Sequence, residues 1–218
     1  MADDTRVTRI FQRRLLRWYR RHKRDLPWRK TTNPYHILVS EIMLHQTQVD
    51  RVAPKYQEFL RRYPTIHTLA KTPLRELKRT WYPLGYNYRP ARLRTIAREA
   101  IAKYEGKIPD AYDALLAMDG IGRYTAGAIL SFAYRKDFPT LDTNVARVLS
   151  RVFGVNGDLA KAKATKRLWR LAEAVIPRGK GYDFNQAMMD FGATVCTARK
   201  PLCVTCCLND VCRSYPVG

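Results

Sequence analysis

Residues 118–127 of this chain read MDGIGRYTAG, and they are the stretch from which the fold is best interpreted. Gly120 and Gly122 are separated by one residue and lie between two segments of helical periodicity. Glycine allows a tight turn and close approach of a phosphate, and the following helix offers free N–H groups and a positive dipole end. The stretch predicts a phosphate-binding hairpin with Arg123 beside it, although a plain corner between helices fits the pattern equally well.

Helical periodicity extends over almost the whole chain. Apolar residues recur at three- and four-residue steps from Val7 to Tyr19, and Pro34 opens an apolar run that continues to Leu44. Further helices are predicted at 47–63, 73–81, 90–104, 110–117, 122–134, 143–153, 160–175 and 183–195. No segment shows a convincing period-two pattern, so the predicted fold class is all-α.

The charge of the chain points to a polyanionic partner. Its 218 residues include 40 Lys and Arg against 19 Asp and Glu, a formal net charge of +21. Such an excess favours nucleic acid as the partner. No stretch is apolar enough to span a bilayer, and the N-terminus lacks the layout of a signal peptide. We therefore expect a cytoplasmic, nucleoid-associated protein that has no membrane partner and is a monomer by default.

The cysteines cluster near the end of the chain. Cys196, Cys203, Cys206 and Cys212 follow the spacing C-x6-C-x2-C-x5-C, and Cys207 falls outside it. Four thiolates on a short loop can bind one cubane iron–sulfur cluster or one tetrahedral zinc ion. Zinc usually prefers two close cysteine pairs, and only one close pair is present. The spacing predicts a metal centre.

Two cations lie between the first two predicted metal ligands. Arg199 and Lys200 would be presented rigidly by a metal-bound loop, which suits contact with phosphate groups. The alternative is that they belong to a solvated basic loop.

Two carboxylates are candidates for catalysis. Glu41 lies in an apolar helix, where burial of a carboxylate is costly unless the group is partnered or functional. Asp142 precedes a helix that starts near Asn144, and aspartate is also a favoured helix N-cap. From the residues alone, each acid fits a structural role as well as a catalytic one.

These motifs together resemble the helix–hairpin–helix DNA glycosylase superfamily, in particular its adenine-glycosylase and thymine-mismatch-glycosylase branches. The resemblance covers about residues 26–212. The resemblance rests on the motifs LPWR (26–29), SEIMLHQTQV (40–49), LGY (84–86), the Gly120 hairpin, LDTN (141–144), FNQAMMDFGA (184–193) and the cysteine spacing.

The resemblance implies two lobes with a cleft between them. A six-helix barrel with the hairpin would occupy 27–137, and residues 1–26 and 138–218 would form an iron–sulfur domain. A [4Fe–4S] cluster would be held by the four spaced cysteines. Glu41 and Asp142 would face each other across the cleft.

The resemblance also implies a mechanism. The target base must leave the helical stack before it can react. Glu41 would then protonate the leaving base, and Asp142 would stabilise the positive charge on the sugar or trap it covalently. Asn144 would hold Asp142 or the substrate by a hydrogen bond, unless it is only a helix-start residue.

Three further residues gain roles from the resemblance. Gln46 and Tyr86 would fill or wedge the space left in the duplex, although both could be ordinary packing residues. Tyr124 stands where bifunctional relatives carry a lysine that attacks the sugar. Tyrosine cannot form that Schiff base, so we expect hydrolysis without strand cleavage by β-elimination.

The preferred substrate is double-stranded DNA with adenine mispaired with guanine or 8-oxoguanine. Adenine enzymes commonly have glutamine where this chain has His45, and their further C-terminal domain is expected to be missing here. Thymine or uracil opposite guanine is therefore the alternative target. A non-catalytic iron–sulfur redox sensor that binds DNA is the alternative of another class.

Overall fold

The computed structural model describes residues 2–155, 157 and 161–217. Within those residues the regular elements are helices and no strand is present, which confirms the all-α prediction. The helices are α1 (Ala2–His22), α2 (Pro34–Leu44), α3 (Val49–Arg62), α4 (Ile66–Lys71), α5 (Leu74–Trp81), α6 (Arg89–Tyr104), α7 (Tyr112–Leu116), α8 (Arg123–Phe132), α9 (Thr143–Phe153), α10 (Ala162–Ala174) and α11 (Gly181–Thr194). No helix in the described part of the chain is long and apolar enough to cross a membrane.

The chain divides into two compact units. The central unit is Asp25–Tyr134, and the split unit combines Met1–Arg24 with Arg135–Gly218. The predicted six-helix barrel and iron–sulfur domain stay predictions, because compactness alone identifies neither.

The central unit is built around α2, which packs against α3, α6 and α8. Pro34 provides the first helical residue, and the side chain of Asn33 caps the helix by accepting from the N–H groups of Tyr35 and His36. Residues 37–43 are all buried, so this helix is apolar on every face. A buried helix of this kind holds its few polar side chains in fixed positions.

The split unit has its own core, where α11 packs against both α1 and α9, and α10 packs against α9. Phe11 of α1 makes edge-to-face contacts with Phe153 and Phe184, at centroid distances of 5.3 and 5.7 Å. The predicted start of α10 at residue 160 lies outside the described residues.

The segment after α1 is anchored to α11 by a buried ion pair. Arg24 donates from Nε to Oδ1 of Asp190 over 2.6 Å and from its backbone N–H to Oδ2 over 3.1 Å. The side chain of Asp190 is 0% exposed. This pair fixes the end of the N-terminal segment on the helix that also supports the Asp142 segment.

One helix was missed by sequence reasoning. Helix α4 has six residues, too few to show a clear apolar period. Thr65 caps it by accepting from the N–H of Thr68, and this N-cap was the available signal.

Candidate active site and nucleic-acid interface

Glu41 occupies the middle of α2 in the central unit. It is 3% exposed, and its neighbours Ile42 and Met43 are 0% exposed. The apolar sequence of α2 produces this burial, because the helix is enclosed by three others. The carboxyl group is thus held within an apolar part of the central unit.

His45 and Tyr124 lie near each other on neighbouring elements. His45 follows Glu41 by four residues, one helical turn. Its ring centroid is 6.3 Å from that of Tyr124, the second residue of α8. Burial lowers the pKa of His45, and the charges of Arg92 and Arg89 lower it further. Both effects disfavour the protonated, positively charged form of the ring.

The glycine hairpin joins α7 to α8 in the central unit. Gly120 has φ +91°, and a Cβ built there would lie 2.6 Å from Cγ of Arg92. Gly122 precedes α8 without a side-chain cap, and a Cβ there would meet nothing within 4 Å. Arg123 is exposed beside it. The first N–H groups of α8 lack a side-chain cap, which suits a bound phosphate.

Gln46 and Tyr86 lie on two turns of the central unit. Both adopt left-handed backbone conformations, with φ of 55° and 49°. Gln46 is exposed, and Tyr86 is 49% exposed. Both side chains are therefore at the surface and not in the core, and their contact with DNA stays a prediction.

Asp142 is the N-cap of α9 in the split unit. Its Oδ1 accepts from the N–H of Val145 over 2.7 Å, and its Oδ2 accepts from Nδ2 of Asn144 over 3.1 Å. The structural role that the sequence allowed for Asp142 is therefore present. Helix capping also fixes the carboxylate and leaves lone pairs of both oxygens for further contacts.

Arg147 supports Asn144 from the next turn of α9. Its guanidinium donates to Oδ1 of Asn144 over 2.7 Å, to the Gly192 carbonyl over 2.7 Å and to the Cys196 carbonyl over 2.8 Å. This network connects Asp142 to the cysteine loop through Asn144. Sequence reasoning missed Arg147, and its position three residues after Asn144 on one helix was the available signal.

Asn185 of α11 holds the segment Phe138–Thr140, which leads to Asp142. Its Nδ2 donates to the Phe138 carbonyl over 2.7 Å, and its Oδ1 accepts from the N–H of Thr140 over 3.4 Å. Asn185 is 3% exposed. Asn185 belongs to the motif at 184–193, but the sequence predicted no role for it. In the structure it supports the segment that leads to Asp142.

The four spaced cysteines line one small cavity in the split unit. These residues are Cys196, Cys203, Cys206 and Cys212, and Cys207 is not among the described lining residues. Within the described residues, no group of three or more His, Cys, Asp and Glu side chains is arranged to hold a metal ion. The structure thus gathers the four predicted ligands around one cavity.

The surroundings of these thiols fit thiolate ligands. Cys206 Sγ accepts from the N–H of Leu208 over 3.4 Å, and Cys196 Sγ accepts from Arg151 over 3.5 Å. Burial raises the pKa of Cys206 to about 11 and also raises that of Cys212. Such thiols lose their protons when a metal binds, and N–H donors then stabilise the sulfur charge.

Arg199 and Lys200 are exposed on the loop between Cys196 and Cys203. Arg151 supports this loop by donating to the carbonyls of Thr197 and Ala198, over 2.7 and 3.1 Å. The two cations therefore lie on an ordered loop, as contact with a phosphate backbone requires.

Comparisons with known proteins identify the family of this chain. Residues 39–174 match the family described as HhH-GPD superfamily base excision DNA repair protein. The chain is 40% identical to the adenine DNA glycosylase of Rattus norvegicus, over 98% of this chain and 43% of that protein. It is 38% identical to the thymine-DNA glycosylase of Aeropyrum pernix, over 98% of this chain and 97% of that protein. The solved structure of a thermostable thymine-DNA glycosylase has a TM-score of 0.91 and 35% identity, covering 97% of this chain and 98% of that one.

In its described residues the protein is all-helical, and a glycine turn joins α7 to α8. The chain belongs to the HhH-GPD superfamily of base excision DNA repair proteins, which confirms the resemblance found in the sequence. The match covers 43% of the length of the rat adenine DNA glycosylase, so this chain spans less than half of that relative.

Proposed function

We propose that this protein is a DNA glycosylase that extrudes a mispaired base from duplex DNA and hydrolyses its N-glycosidic bond. The observation that carries the proposal is Glu41, an acid that is 3% exposed at the centre of an apolar helix. A carboxyl group is rarely buried in an apolar helix, and such acids occur often at functional sites. In a base excision repair family, proton donation to the leaving base is the function that best explains it.

Asp142 is the partner of Glu41 in this reaction. As the glycosidic bond breaks, positive charge develops on the sugar, and a carboxylate held in place stabilises that charge. Asn144 and the N–H of Val145 orient the carboxylate in advance. The proposal requires that Glu41 and Asp142 reach the sugar and base of the same extruded nucleotide.

The reaction ends with hydrolysis of the glycosidic bond. Tyr124 has no amine with which to attack the sugar, so cleavage of the DNA strand by β-elimination is not expected. The product is an abasic site in an intact strand.

Each unit contains groups proposed to contact DNA. In the central unit, the Gly120–Arg123 hairpin binds phosphates at the start of α8, and Gln46 and Tyr86 enter the space left by the base. In the split unit, Arg199 and Lys200 bind the backbone. We expect the partner to be mismatched double-stranded DNA and the protein to act as a monomer.

A [4Fe–4S] cluster is proposed for the cavity formed by Cys196, Cys203, Cys206 and Cys212. When bound, the cluster would have a structural role, because it would fix the loop that carries Arg199 and Lys200. The four thiols on one cavity, with N–H donors directed at two sulfurs, support this assignment.

Adenine opposite guanine or 8-oxoguanine is the proposed target. The segment 46–49, QTQV, and the 40% identity to an adenine DNA glycosylase support it. Thymine or uracil opposite guanine is the second candidate. It is favoured by the 38% identity to a thymine-DNA glycosylase over 97% of that protein's length.

Single-turnover cleavage of four duplexes tests the proposal and separates the substrates. The duplexes carry A·8-oxoG, A·G, T·G or U·G, and alkali treatment after the reaction reveals abasic sites. We expect cleavage of the adenine duplexes at least tenfold faster than of the others. Faster cleavage of T·G and U·G would assign the second candidate.

Substitution of the two acids tests the mechanism in the same assay. Glu41→Gln and Asp142→Asn each lower the rate by about 100-fold or more, the usual contribution of a general acid or a preorganised charge. Glu58→Gln is the matched control, since Glu58 forms ion pairs with Lys55 and Arg62 on α3. Absence of abasic product from every duplex with the wild-type protein, together with retained DNA binding, would instead favour a non-catalytic DNA-binding protein.

A further inference from the structure

We propose that Arg89 is a positioning residue that holds Gln46 and Tyr86 in the conformations needed for insertion into the duplex. The inference rests on the proposed function, because it concerns the two side chains assigned there to the space left by the base. Arg89 is the first residue of α6 and is 0% exposed.

One half of the guanidinium binds the end of α2. NH1 of Arg89 donates to three backbone carbonyls: Ile42 over 3.3 Å, Met43 over 2.8 Å and His45 over 2.6 Å. The last carbonyls of a helix lack partners within the helix, and Arg89 provides them. The shortest of these bonds is to the carbonyl of His45, and Gln46 is the next residue. Arg89 therefore holds the start of the turn that presents the Gln46 side chain.

The other half of the guanidinium binds the turn that presents Tyr86. NH2 of Arg89 donates to the carbonyls of Leu84 over 2.9 Å and Gly85 over 3.2 Å. The Gly85 carbonyl also accepts from Nε1 of Trp81 over 3.2 Å. The turn is thus held immediately before Tyr86, as the α2 end is held immediately before Gln46.

Aromatic rings enclose the same guanidinium. The carbon Cζ of Arg89 is 5.3 Å from the Trp81 ring centroid and 5.1 Å from that of Tyr86. Both distances are in the range of cation–π attraction. Within the described residues, Arg89 contacts carbonyl oxygens and rings and not a carboxylate, so its charge is stabilised by the two turns that it joins.

Both presented residues need such support. Gln46 and Tyr86 have φ of 55° and 49°, and residues with side chains adopt this left-handed region only at a cost. Such a conformation persists where surrounding contacts determine it. One buried cation bonded to both preceding segments supplies those contacts and links the two turns, so that a disturbance of one reaches the other.

Arginine suits this position because its planar group donates in several directions at once. A lysine ammonium is a compact point charge and cannot reach two sets of carbonyls with fixed geometry. Arg89→Lys therefore keeps the charge and removes the link. Arg98→Lys is the matched control: Arg98 lies on the same helix and donates through Nε to the Ala70 carbonyl over 3.2 Å.

The first measurement is binding preference. The first probe is a duplex with the mispair that the wild-type protein cleaves, and a 2′-fluoro sugar at the target base prevents its cleavage. The second probe is a fully paired duplex of the same sequence. We expect Arg89→Lys to reduce the ratio of the two affinities about tenfold while the affinity for paired DNA stays unchanged. Arg98→Lys should leave both affinities unchanged.

The second measurement is amide hydrogen exchange without DNA. Arg89→Lys should accelerate exchange about tenfold in both 45–48 and 84–88, and Arg98→Lys in neither. If Arg89→Lys does not fold, exchange in the variant Tyr86→Leu tests whether Arg89 links the two turns. That substitution removes one ring from Arg89, so exchange should rise in the distant segment 45–48.

The outcomes separate the two proposals. An unchanged affinity ratio with unchanged exchange in both segments, or faster exchange in one segment only, would overturn the role of Arg89. Unchanged exchange at 45–48 in Tyr86→Leu would do the same. A wild-type protein without glycosylase activity would overturn the proposed function, while the exchange experiment would still decide whether Arg89 links the turns.

Discussion

Asn144 donates a hydrogen bond from Nδ2 to Oδ2 of Asp142 over 3.1 Å, while Oδ1 of the same carboxylate accepts from the N–H of Val145. Both oxygens of Asp142 are thus fixed at the start of α9, where the helix dipole favours a negative charge. Asn144 is held in turn by Arg147. The carboxylate is oriented before any substrate arrives.

The first prediction follows from this relationship. Asn144→Ala removes one hydrogen bond to the Asp142 carboxylate, worth about 1.5–3 kcal/mol. We expect the single-turnover rate to fall about ten- to a hundredfold, with little change in thermal stability because the cap to Val145 remains. Ser150→Ala on the same helix is the control; Ser150 donates to the Arg147 carbonyl over 3.0 Å. Equal rates for the two variants would show that Asn144 only starts the helix.

The second prediction concerns Tyr124. Tyr124→Lys places an amine near His45, where burial, and then the charges of Arg92 and Arg89, lower the histidine pKa; the same surroundings would favour a neutral lysine. We expect this variant to gain strand cleavage and a covalent DNA complex that borohydride traps. Arg123→Lys, with its amine one residue away on an exposed position, should give no trapped complex. Failure to trap any complex with Tyr124→Lys would count against the placement of Tyr124 at the sugar.

The sequence was sufficient for most of the helices, because their apolar residues recur with a clear period. The predicted helix 143–153 coincides with α9, Thr143–Phe153. The predicted helix 110–117 is shorter in the structure, where α7 covers Tyr112–Leu116. Short helices such as α4 depend on caps and on their surroundings, so their period says little.

The candidate site could be predicted only where residue type alone is informative. A glutamate inside the apolar α2 and a set of spaced cysteines attract attention without a structure. Arg89 and Arg147 do not, because an arginine among 40 basic residues carries no distinguishing signal. Their importance comes from burial and from bonds to distant carbonyls, which the sequence does not reveal.

The third prediction separates adjacent cysteines. Cys206 lines the shared cavity and Cys207 does not line it in the described residues. We expect Cys207→Ser to retain iron and acid-labile sulfide in equal amounts, with visible absorption, and Cys206→Ser to lose most of both. Purified wild-type protein that contains zinc and no sulfide would contradict the cluster assignment.

The fourth prediction separates folding from DNA contact in the hairpin. Gly120→Ala meets both a φ of +91° and the Arg92 side chain, so it should lower stability by about 1–2 kcal/mol. Gly122→Ala has an ordinary φ and open space around its Cβ, so it should leave stability unchanged. If a phosphate approaches this turn closely, Gly122→Ala should still weaken DNA binding about tenfold. Thermal melting and binding to a paired duplex measure the two effects, and unchanged binding would exclude a close phosphate.

The fifth prediction concerns the buried pair that anchors the N-terminal segment to α11. Arg24→Ala removes the guanidinium that bonds to Asp190, whose side chain is 0% exposed. Loss of one partner of a buried ion pair typically costs about 3–5 kcal/mol, and we expect the lower end because Arg24 is 30% exposed.

The exposed pair between Lys30 and Asp25 provides the comparison, since these side chains are 65% and 78% exposed. Lys30→Ala should therefore change the free energy of unfolding by less than about 1 kcal/mol. Urea unfolding followed by tryptophan fluorescence measures both variants. Because Asp190 lies on the helix whose Asn185 holds the Phe138–Thr140 segment, Arg24→Ala should also slow base excision at temperatures where the protein remains folded. Equal losses of stability in the two variants would mean that the Arg24–Asp190 pair stabilises the fold no more than an exposed pair does.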